Sequence, residues 1–419
     1  MKFVHAADLH LDSPMRGLEQ YERAPREKMR DATRRALENL VDLCIDESAA
    51  FLLIAGDLYD GDWKEYGTGL FFSSQMSRLN TAGIPVVMIR GNHDAQRQMT
   101  RSLKLPPNVR DLAVNAPESV PIPNTNVIVH GQGFAERVIS HDLAAGYPHA
   151  KEGAFNIGLL HTSLTGRAGH EPYAPTSLET LKSKGYQYWA LGHVHAFEVA
   201  LSYPHVVFPG NLQGRHARET GPKGAVLVEV DNDRVVRVDH RALDDVRWCV
   251  AGVDLSEATD FDDALLHVSN AIAELVSENA HLTLAIRIVL EGATPAHTEI
   301  TTAREKFINE VRNACFVAHG DLGWIEKVVL STTAPLDLAR ARSRTDAAGE
   351  LARSIDALRR DDAQLQERCT FLDALSKKLP RELERGTDPV LFHDPNWRRS
   401  LVDQVEQILL PRLLEKEEP

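Results

Sequence analysis

Aspartate, asparagine and histidine side chains follow apolar, strand-like runs at five places in the first half of the chain. A turn after a strand favours Gly, Asn or Asp, but it gives no reason for a histidine. Taken alone, each place is explained more often by a structural role than by chemistry, whereas the ordered set of five is hard to explain that way. The residues are Asp8 with His10, Asp57, Asn92 with His93 and Asp94, His161, and His193 with His195.

Such a set of side chains has the chemistry of a transition-metal site. Imidazole nitrogens suit Mn²⁺, Fe²⁺ or Zn²⁺, while carboxylate and amide oxygens suit a harder ion. The set is too large for one tetrahedral site, but it suits two ions about 3.5–4 Å apart that share one carboxylate. Two ions so placed hold the attacking and leaving oxygens of an in-line displacement at phosphorus. The residue types therefore predict a two-metal site suited to displacement at phosphorus.

Alternating strand-like and helix-like stretches over residues 1–245 predict an α/β layered domain that would position these groups. Ligands of α/β sheets bind beyond the carboxyl ends of the strands, where the polar residues stand. In Asp8-x-His10 and in His193-x-His195, both side chains of a pair would point to one side if the backbone is extended. The predicted strands are 2–7, 51–55, 85–89, 127–129, 156–160, 188–191, 205–208 and 225–230, and the predicted helices are 26–47 and 69–83.

A second, smaller α/β unit is predicted over residues 250–333. Amphipathic helices are expected at 260–278 and 302–318, and strands at 282–292 and 325–331. No cluster of residues with catalytic character is found in this unit.

Residues 334–350 have the composition of a polar linker, and residues 351–419 are predicted to form a helical tail. Asp394 is expected to cap the second helix of the tail, with Pro395 at its first position. Apolar residues at alternating steps of three and four form a heptad seam in the first helix: Leu351, Ile355, Leu358, Leu365, Cys369, Leu372 and Leu379. The second helix has an apolar stripe: Trp397, Leu401, Val405, Ile408 and Leu409. The tail either packs onto its own domain or binds helices of a partner.

Bulk properties exclude several classes of protein. The chain has 419 residues and a net charge of −13, which argues against a protein that coats nucleic acid by charge alone. A nucleic-acid enzyme is not excluded, because divalent cations offset clustered carboxylates locally. We expect no signal peptide and no membrane span, since apolar runs are only of strand length. Four scattered cysteines without a CxxC pair fit reduced thiols, and we therefore expect a cytoplasmic protein.

The order of the polar motifs resembles that of the calcineurin-like metallophosphoesterases, whose series is D-x-H, G-D, G-N-H-[DE], a lone H, and G-H-x-H. All five motifs are present between residues 8 and 195, and they cover under half of the chain. The resemblance implies an α/β fold in which a two-sheet metallophosphoesterase sandwich is flanked by helices. The remainder would add a small α/β cap domain and a C-terminal helical tail.

The resemblance also implies a role for each residue of the motifs. The first metal ion would be held by Asp8, His10 and His195, and the second by Asn92, His161 and His193. Asp57 would bridge the two ions, which are expected to be Mn²⁺. His93 would serve the leaving group, and Asp94 would hold His93; the alternative for Asp94 is a turn or helix-capping carboxylate.

Within this superfamily, "HAADLHLDSP", "GDLYD" and the trailing cap resemble the SbcD-type DNA repair exonucleases, and most closely their bacterial YhaO-like branch. The resemblance implies a DNA substrate, with endonuclease activity left open, and an SMC-like ATPase whose coiled coil binds the C-terminal helices. A homodimer is left open as well. Two alternatives remain: a phosphodiesterase or phosphatase for small substrates on the same fold, and a scaffold subunit that regulates the ATPase.

Two departures from the family pattern lie close to the motifs. Asp60 stands where archaeal and eukaryotic relatives have a histidine, and Asp12 stands where relatives often have glycine. Two basic segments are candidates for contact with phosphates, with a solvent-exposed loop as the alternative for each. The segments are 97–104, and 209–224 with Arg215, His216 and Arg218.

Overall fold

The computed structural model describes residues 1–13, 26–59, 66–94, 105–164, 174–335, 338–376, 378 and 391–415. Three subjects of the sequence predictions lie outside these residues: the basic segment 97–104, Asp60, and Leu379 at the end of the heptad seam. The chain forms two compact units. The first comprises Met1–Val250, Leu275–Arg287 and Ala318–Glu326, and the second comprises Ala251–Glu274, Ile288–Val317 and Lys327–Pro419.

Fifteen strands are present among the described residues. They are β1 (Lys2–Ala6), β2 (Leu52–Ala55), β3 (Val86–Ile89), β4 (Val109–Asp111), β5 (Glu118–Pro121), β6 (Val127–Gly131), β7 (Phe155–His161), β8 (Tyr188–Gly192), β9 (Glu198–Ser202), β10 (His205–Phe208), β11 (Gly224–Asp231), β12 (Arg234–Ala242), β13 (Val246–Asp254), β14 (Thr283–Glu291) and β15 (Gly323–Leu330).

The α-helices in the described part of the chain are α1 (Arg26–Asp46), α2 (Tyr66–Thr81), α3 (Leu178–Ser183), α4 (Phe261–Glu278), α5 (His297–Thr302), α6 (Arg304–His319), α7 (Leu338–Ser343), α8 (Ala347–Arg360), α9 (Asp362–Arg368), α10 (Thr370–Ser376) and α11 (Pro395–Glu415). None of these helices is long and apolar enough to cross a membrane.

Two six-stranded sheets form the first unit. Their orders are β12-β11-β1-β2-β3-β4 and β5-β6-β7-β8-β10-β9. Strands β1 to β4 are parallel neighbours in the first sheet, and β6, β7 and β8 are parallel neighbours in the second. All eight strands predicted for residues 1–245 are present, so the prediction of a mixed α/β fold with two sheets is confirmed.

Apolar side chains from both sheets form one core cluster between them. Phe3, Leu53 and Val87 of the first sheet meet Ile157 and Tyr188 of the second, and all five are fully buried or nearly so. The other face of the first sheet packs against α1 and α2. Burial on both faces explains why these central strands are continuous apolar runs. It also fixes the carboxyl ends of β1, β2, β3, β7 and β8, from which the polar motifs follow.

The third sheet has the order β13-β14-β15, and its strands contribute residues to both units. The second unit contains α5, most of α4 and α6, and the C-terminal helices. Helix α7 lies in the segment that was expected to be a polar linker. The domain boundaries given in the sequence analysis stay a prediction.

The heptad seam is broken into three helices, α8, α9 and α10, instead of forming one long helix. Asp361 causes the first break, because its carboxylate accepts bonds from the N–H groups of Ala363 and Gln364 and starts a new helix. Seam residues nevertheless share a core with α11, as Ile355 and Leu365 cluster with Val402. The cap predicted for α11 is confirmed, since Asp394 accepts bonds from the N–H groups of Asn396 and Trp397.

Candidate metal centre

Residues from five strand ends converge at one edge of the two-sheet unit. Two groups of side chains have ligand atoms that lie within 4.8 Å of one another. The first group is Asp8, His10 and His195, and the second is Asp8, Asp57 and His161. These residues are separated by up to 187 positions in sequence, so only the sheet topology brings them together. The two groups share Asp8.

In the first group, the Nε2 atoms of His10 and His195 lie 3.3 Å apart. Asp8 Oδ1 is 4.0 Å from the same nitrogen of His195. The carboxylate of Asp8 is almost completely buried, and burial raises its pKa. A buried carboxylate facing two imidazoles is a suitable set of ligands for a transition-metal ion.

In the second group, His161 carries its proton on Nδ1, because that nitrogen lies 2.9 Å from the carbonyl oxygen of Ala55, which only accepts. Its Nε2 atom then faces Asn92 Oδ1 at 2.9 Å and Asp57 Oδ2 at 3.4 Å. Three acceptor atoms therefore converge, which requires a cation among them. Either a second proton on His161 or a metal ion satisfies this requirement.

The pKa values of His161 and Asp57 favour a second proton on His161 when no metal ion is bound. Burial opposes the charges of both His161 and Asp57, but their mutual attraction and hydrogen bond outweigh it. As a result, the pKa of His161 is raised to about 9, and that of Asp57 is held well below its usual range. A divalent ion bound between them would replace the proton.

His193 lies against both groups. Its backbone N–H donates to the two carboxylate oxygens of Asp8, at 3.2 and 2.9 Å. Its ring centroid is 5.2 Å from that of His161. The structure thus brings all seven predicted metal ligands to one place, although their assignment to two ions stays a prediction.

The backbone at these residues differs from the sequence prediction. Asp8, His10, Asp57 and His193 have positive φ angles of 50°, 44°, 51° and 98°. The condition of extended backbone, under which each pair would point to one side, is therefore not met at Asp8, His10 and His193. Residues other than glycine rarely adopt such angles, and they persist where the surrounding structure enforces them, often at functional sites.

Two motif glycines make room for the ligands. Gly56 has a φ of +94°, and a Cβ atom there would lie 2.6 Å from Nδ1 of His161. A Cβ atom on Gly91 would lie 2.2 Å from Oδ1 of Asp57. Both distances are far shorter than van der Waals contact. The glycines of the G-D and G-N-H-D motifs are thus explained by close approach to ligand side chains.

His93 and Asp94 follow Asn92, a predicted ligand, but have different surroundings. The half-buried ring of His93 lies 5.2 Å from that of His10, and its backbone N–H donates to Asp57 Oδ1 at 2.9 Å. Asp94 is buried and accepts bonds from the backbone N–H groups of Leu58, Tyr59 and Gly91, each at 3.1 Å. Burial and the nearby Asp57 raise the pKa of Asp94 to about 6. These contacts correspond to the turn-carboxylate alternative, while a role in holding His93 stays a prediction.

The sequence predictions did not include Glu219. This buried carboxylate lies in the basic segment 209–224, and its Oε1 atom is 2.7 Å from Nδ1 of His195. Burial alone would raise its pKa, but the hydrogen bond with His195 and the charge of Arg215 hold the pKa well below its usual range. The one feature of the sequence that could have indicated Glu219 is that it is the single acidic residue in this basic segment.

The basic segment 209–224 does reach the candidate site. Arg215 Nη2 lies 3.5 Å from Nδ1 of His195, and Nη1 donates to the hydroxyl of Ser13 at 3.4 Å. Arg218 is exposed and His216 is half-buried. Contact of these residues with phosphates stays a prediction.

Comparison with known proteins agrees with this geometry. Residues 1–197 match the family model of the calcineurin-like phosphoesterases, and residues 248–333 match that of the middle domain of the metallophosphoesterase YhaO. The chain is 34% identical over 299 residues to the uncharacterized metallophosphoesterase YhaO of Bacillus subtilis, which covers 70% of this chain and 72% of that one.

Two further relatives have lower identity. A subunit of the nuclease SbcCD from Staphylococcus saprophyticus is 22% identical, with 56% of this chain and 67% of that one covered. The DNA double-strand break repair protein Mre11 of Sulfurisphaera tokodaii is 25% identical, with 55% and 60% covered.

The fold and the ligand cluster define a metal-dependent phosphoester hydrolase. The chain belongs to the calcineurin-like metallophosphoesterase family, as its match to YhaO shows over more than two thirds of both proteins.

Proposed function

We propose that this metallophosphoesterase hydrolyses phosphodiester bonds of DNA, as an exonuclease in DNA repair, with two Mn²⁺ ions. The observation that carries the chemistry is the pair of ligand groups that share Asp8. The DNA substrate is supported by the similarity to a nuclease subunit and to a double-strand break repair protein. Because these identities are only 22% and 25%, the substrate requires a direct test.

Asp8, His10 and His195 would hold the first ion, and Asn92, His161 and His193 would hold the second. Asp57 would bridge the two. When bound, the ions supply Lewis acidity, which makes water nucleophilic near neutral pH and offsets charge on the phosphoryl oxygens. These side chains would hold the ions beside the scissile phosphate.

His93 is the proposed proton donor to the leaving oxygen. The hydrogen bond from its backbone N–H to Asp57 fixes the start of this side chain beside the bridging carboxylate. His93 is half-buried and is thus not enclosed in the core. Asp94 would act on His93 by holding the Gly91–Asp94 turn against the loop that follows β2. A positioned acid of this kind contributes about 10²–10⁴-fold to the rate.

The C-terminal helices are proposed to bind the coiled coil of an SMC-like ATPase. Phe371 and Leu375 lie one turn apart on α10, and Val405 and Leu409 lie one turn apart on α11. All four side chains are exposed, whereas apolar residues of this size are usually buried. In this proposal the chain has four parts: the nuclease domain (1–245), the cap (250–333), the linker (334–350) and the partner-binding tail (351–419). The protein is proposed to be cytoplasmic, and homodimer formation is left open.

A paired hydrolysis assay tests the proposal. Wild type, His93→Ala and the control His149→Ala, whose imidazole is exposed, would each receive end-labelled double- and single-stranded DNA. Each would also receive bis-(p-nitrophenyl) phosphate, with Mn²⁺ or with EDTA. We expect Mn²⁺-dependent cleavage of DNA by wild type and His149→Ala, and a loss of at least about 10²-fold in His93→Ala.

Turnover of the small diester alone, also after addition of the cognate ATPase, would contradict the DNA substrate and favour the small-substrate alternative. No hydrolysis of any substrate, with or without that ATPase, would favour a regulatory scaffold.

A further inference from the structure

Glu219 makes hydrogen bonds through both carboxylate oxygens. Oε1 lies 2.7 Å from Nδ1 of His195. Oε2 accepts bonds from Nδ2 of Asn211 at 3.0 Å and from the backbone N–H of Arg215 at 2.8 Å. The side chain is therefore held in one orientation, with one oxygen aimed at the imidazole of a proposed metal ligand.

This contact determines which nitrogen of His195 carries the proton. A carboxylate only accepts, so Nδ1 must donate to Glu219, and in the neutral imidazole Nε2 then keeps its lone pair. That lone pair faces Nε2 of His10, 3.3 Å away. A metal ion requires the unprotonated nitrogen, and a partner on the opposite ring nitrogen fixes both the tautomer and the ring orientation.

Two basic residues support this arrangement: Arg215 lies beside the carboxylate, and Lys223 holds the peptide of His195 in place. Arg215 Nη2 is 3.5 Å from Oε1 of Glu219. Lys223, also buried, donates from Nζ to the backbone carbonyl oxygen of His195 at 2.9 Å. His195 is thus held at its ring by Glu219 and at its backbone by Lys223, and both partners come from the segment before β11.

We propose that Glu219 is a positioning residue for the metal centre: it holds His195 as the tautomer whose Nε2 atom is unprotonated and can bind the first ion. The inference rests on the proposed metal-binding role of His195. Glu219 itself does not touch the metal ion or the substrate in this proposal. Its effect on catalysis passes through His195.

The first test uses metal-free wild type and requires no variant of Glu219. Histidine would be labelled with ¹⁵N, and the ring signals of His195 would be assigned by comparison with His195→Gln. We expect Nδ1 to carry the proton and Nε2 to show the shift of an unprotonated nitrogen near pH 8. A neutral ring protonated on Nε2 would overturn the proposal, whatever the protein's activity.

The second test compares Glu219→Gln with the control Glu326→Gln. Glu326 is also buried and forms a bidentate ion pair with Arg287, within the same compact unit but in the third sheet. We expect calorimetric affinity for Mn²⁺ to fall about 10–100-fold in Glu219→Gln and to stay unchanged in the control. Equal affinity in all three proteins would overturn the positioning role.

The two tests also separate this inference from the proposed function. If wild type binds no Mn²⁺ while Nδ1 of His195 still carries the proton, the metal site is wrong and the local geometry is right. Glu219→Asp keeps the charge on a shorter side chain, so we expect its Mn²⁺ affinity to lie between those of wild type and Glu219→Gln. If Glu219→Gln does not fold, the Mn²⁺ affinity of Glu219→Asp and the tautomer of His195 in wild type test the positioning role instead.

Discussion

The Nε2 atoms of His10 and His195 lie 3.3 Å apart, although 185 positions separate the two residues in the sequence. Since His195 donates from Nδ1 to Glu219, the Nε2 atom of the neutral ring offers only a lone pair to His10. Asp8 lies against the same nitrogen of His195. Removal of one member of this group should therefore weaken binding of a metal ion and should have less effect on the fold.

We predict that Mn²⁺ stabilises the folded protein. At a free concentration 100 times its Kd, one bound ion adds about 2.7 kcal/mol to the free energy of unfolding. A shift of several degrees in Tm is expected from this, at roughly 2–4 °C per kcal/mol for a unit of this size. Thermal unfolding of wild type and His10→Ala, each with Mn²⁺ and with EDTA, would measure it. An equal Mn²⁺-dependent shift in both proteins would exclude His10 as a ligand.

A second prediction concerns Gly91, where a Cβ atom would lie 2.2 Å from Oδ1 and 2.7 Å from the backbone nitrogen of Asp57. Because Asp57 is buried, a shift away from this Cβ atom would disturb the side chains packed around it. We expect Gly91→Ala to destabilise the protein by about 1–3 kcal/mol and to weaken metal binding.

Gly67 provides the matched control, because a Cβ atom there meets no atom within 4 Å and the residue lies in α2. Gly67→Ala should be neutral or stabilising by up to about 1 kcal/mol. Urea unfolding and Mn²⁺ calorimetry of both variants would check these outcomes. A Gly91→Ala protein as stable as Gly67→Ala would show that the turn carrying Asn92 adapts.

The central strands could be predicted from the sequence because both of their faces are buried. Strands such as β3 and β8 are continuous apolar runs with fully buried side chains. The four strands at the edges of the two six-stranded sheets, β4, β5, β9 and β12, were not predicted. Their residues are all half-buried or exposed, so no buried apolar run marks them. Edge strands are held by backbone hydrogen bonds to one neighbouring strand, and these bonds leave no periodic pattern in the sequence.

The members of the metal site could be predicted from residue types and order, but its geometry could not. Asp8 and Asp57 have left-handed backbone, which no pattern in the local sequence specifies. Glu219 was missed because its partner, His195, is 24 residues away and joins it only in the folded chain. Surrounding basic residues also directed the interpretation of that loop toward phosphates.

Asp12 leads to a third prediction. Its carboxylate binds Nε and Nη2 of Arg34 at 2.8 and 2.6 Å and also accepts a bond from Thr68, while its φ is 52°. Asp12→Ala would lose these bonds and keep an unfavourable backbone angle. Asp12→Gly would lose the same bonds but relieve the angle.

We therefore expect Asp12→Ala to be less stable than Asp12→Gly by about 1 kcal/mol. Chemical unfolding of the two variants beside wild type measures the difference. The comparison is independent of the strength of the partly exposed ion pair, since both variants lack it. Equal stability of the two variants would mean that the loop after β1 relaxes its backbone once the carboxylate is gone.

The last prediction concerns His5, which is fully buried in β1 with Nδ1 at 3.1 Å from the hydroxyl of Tyr188. Burial lowers its pKa to about 3, from an ordinary value of 6.5. Below pH 6.5 the unfolded chain therefore binds a proton that the folded protein does not, and the free energy of unfolding falls with pH down to about pH 3. Between pH 8 and pH 5 the expected loss from His5 is about 2 kcal/mol.

Urea unfolding of wild type and His5→Gln at pH 8 and pH 5 measures this contribution, because glutamine offers polar atoms that do not titrate. We expect the difference in free energy of unfolding between the two proteins to change by about 2 kcal/mol over this range, in favour of His5→Gln at pH 5. All other titrating groups contribute equally to both proteins and cancel. A difference that is the same at both pH values would mean that His5 takes up a proton in the folded core as readily as in the unfolded chain.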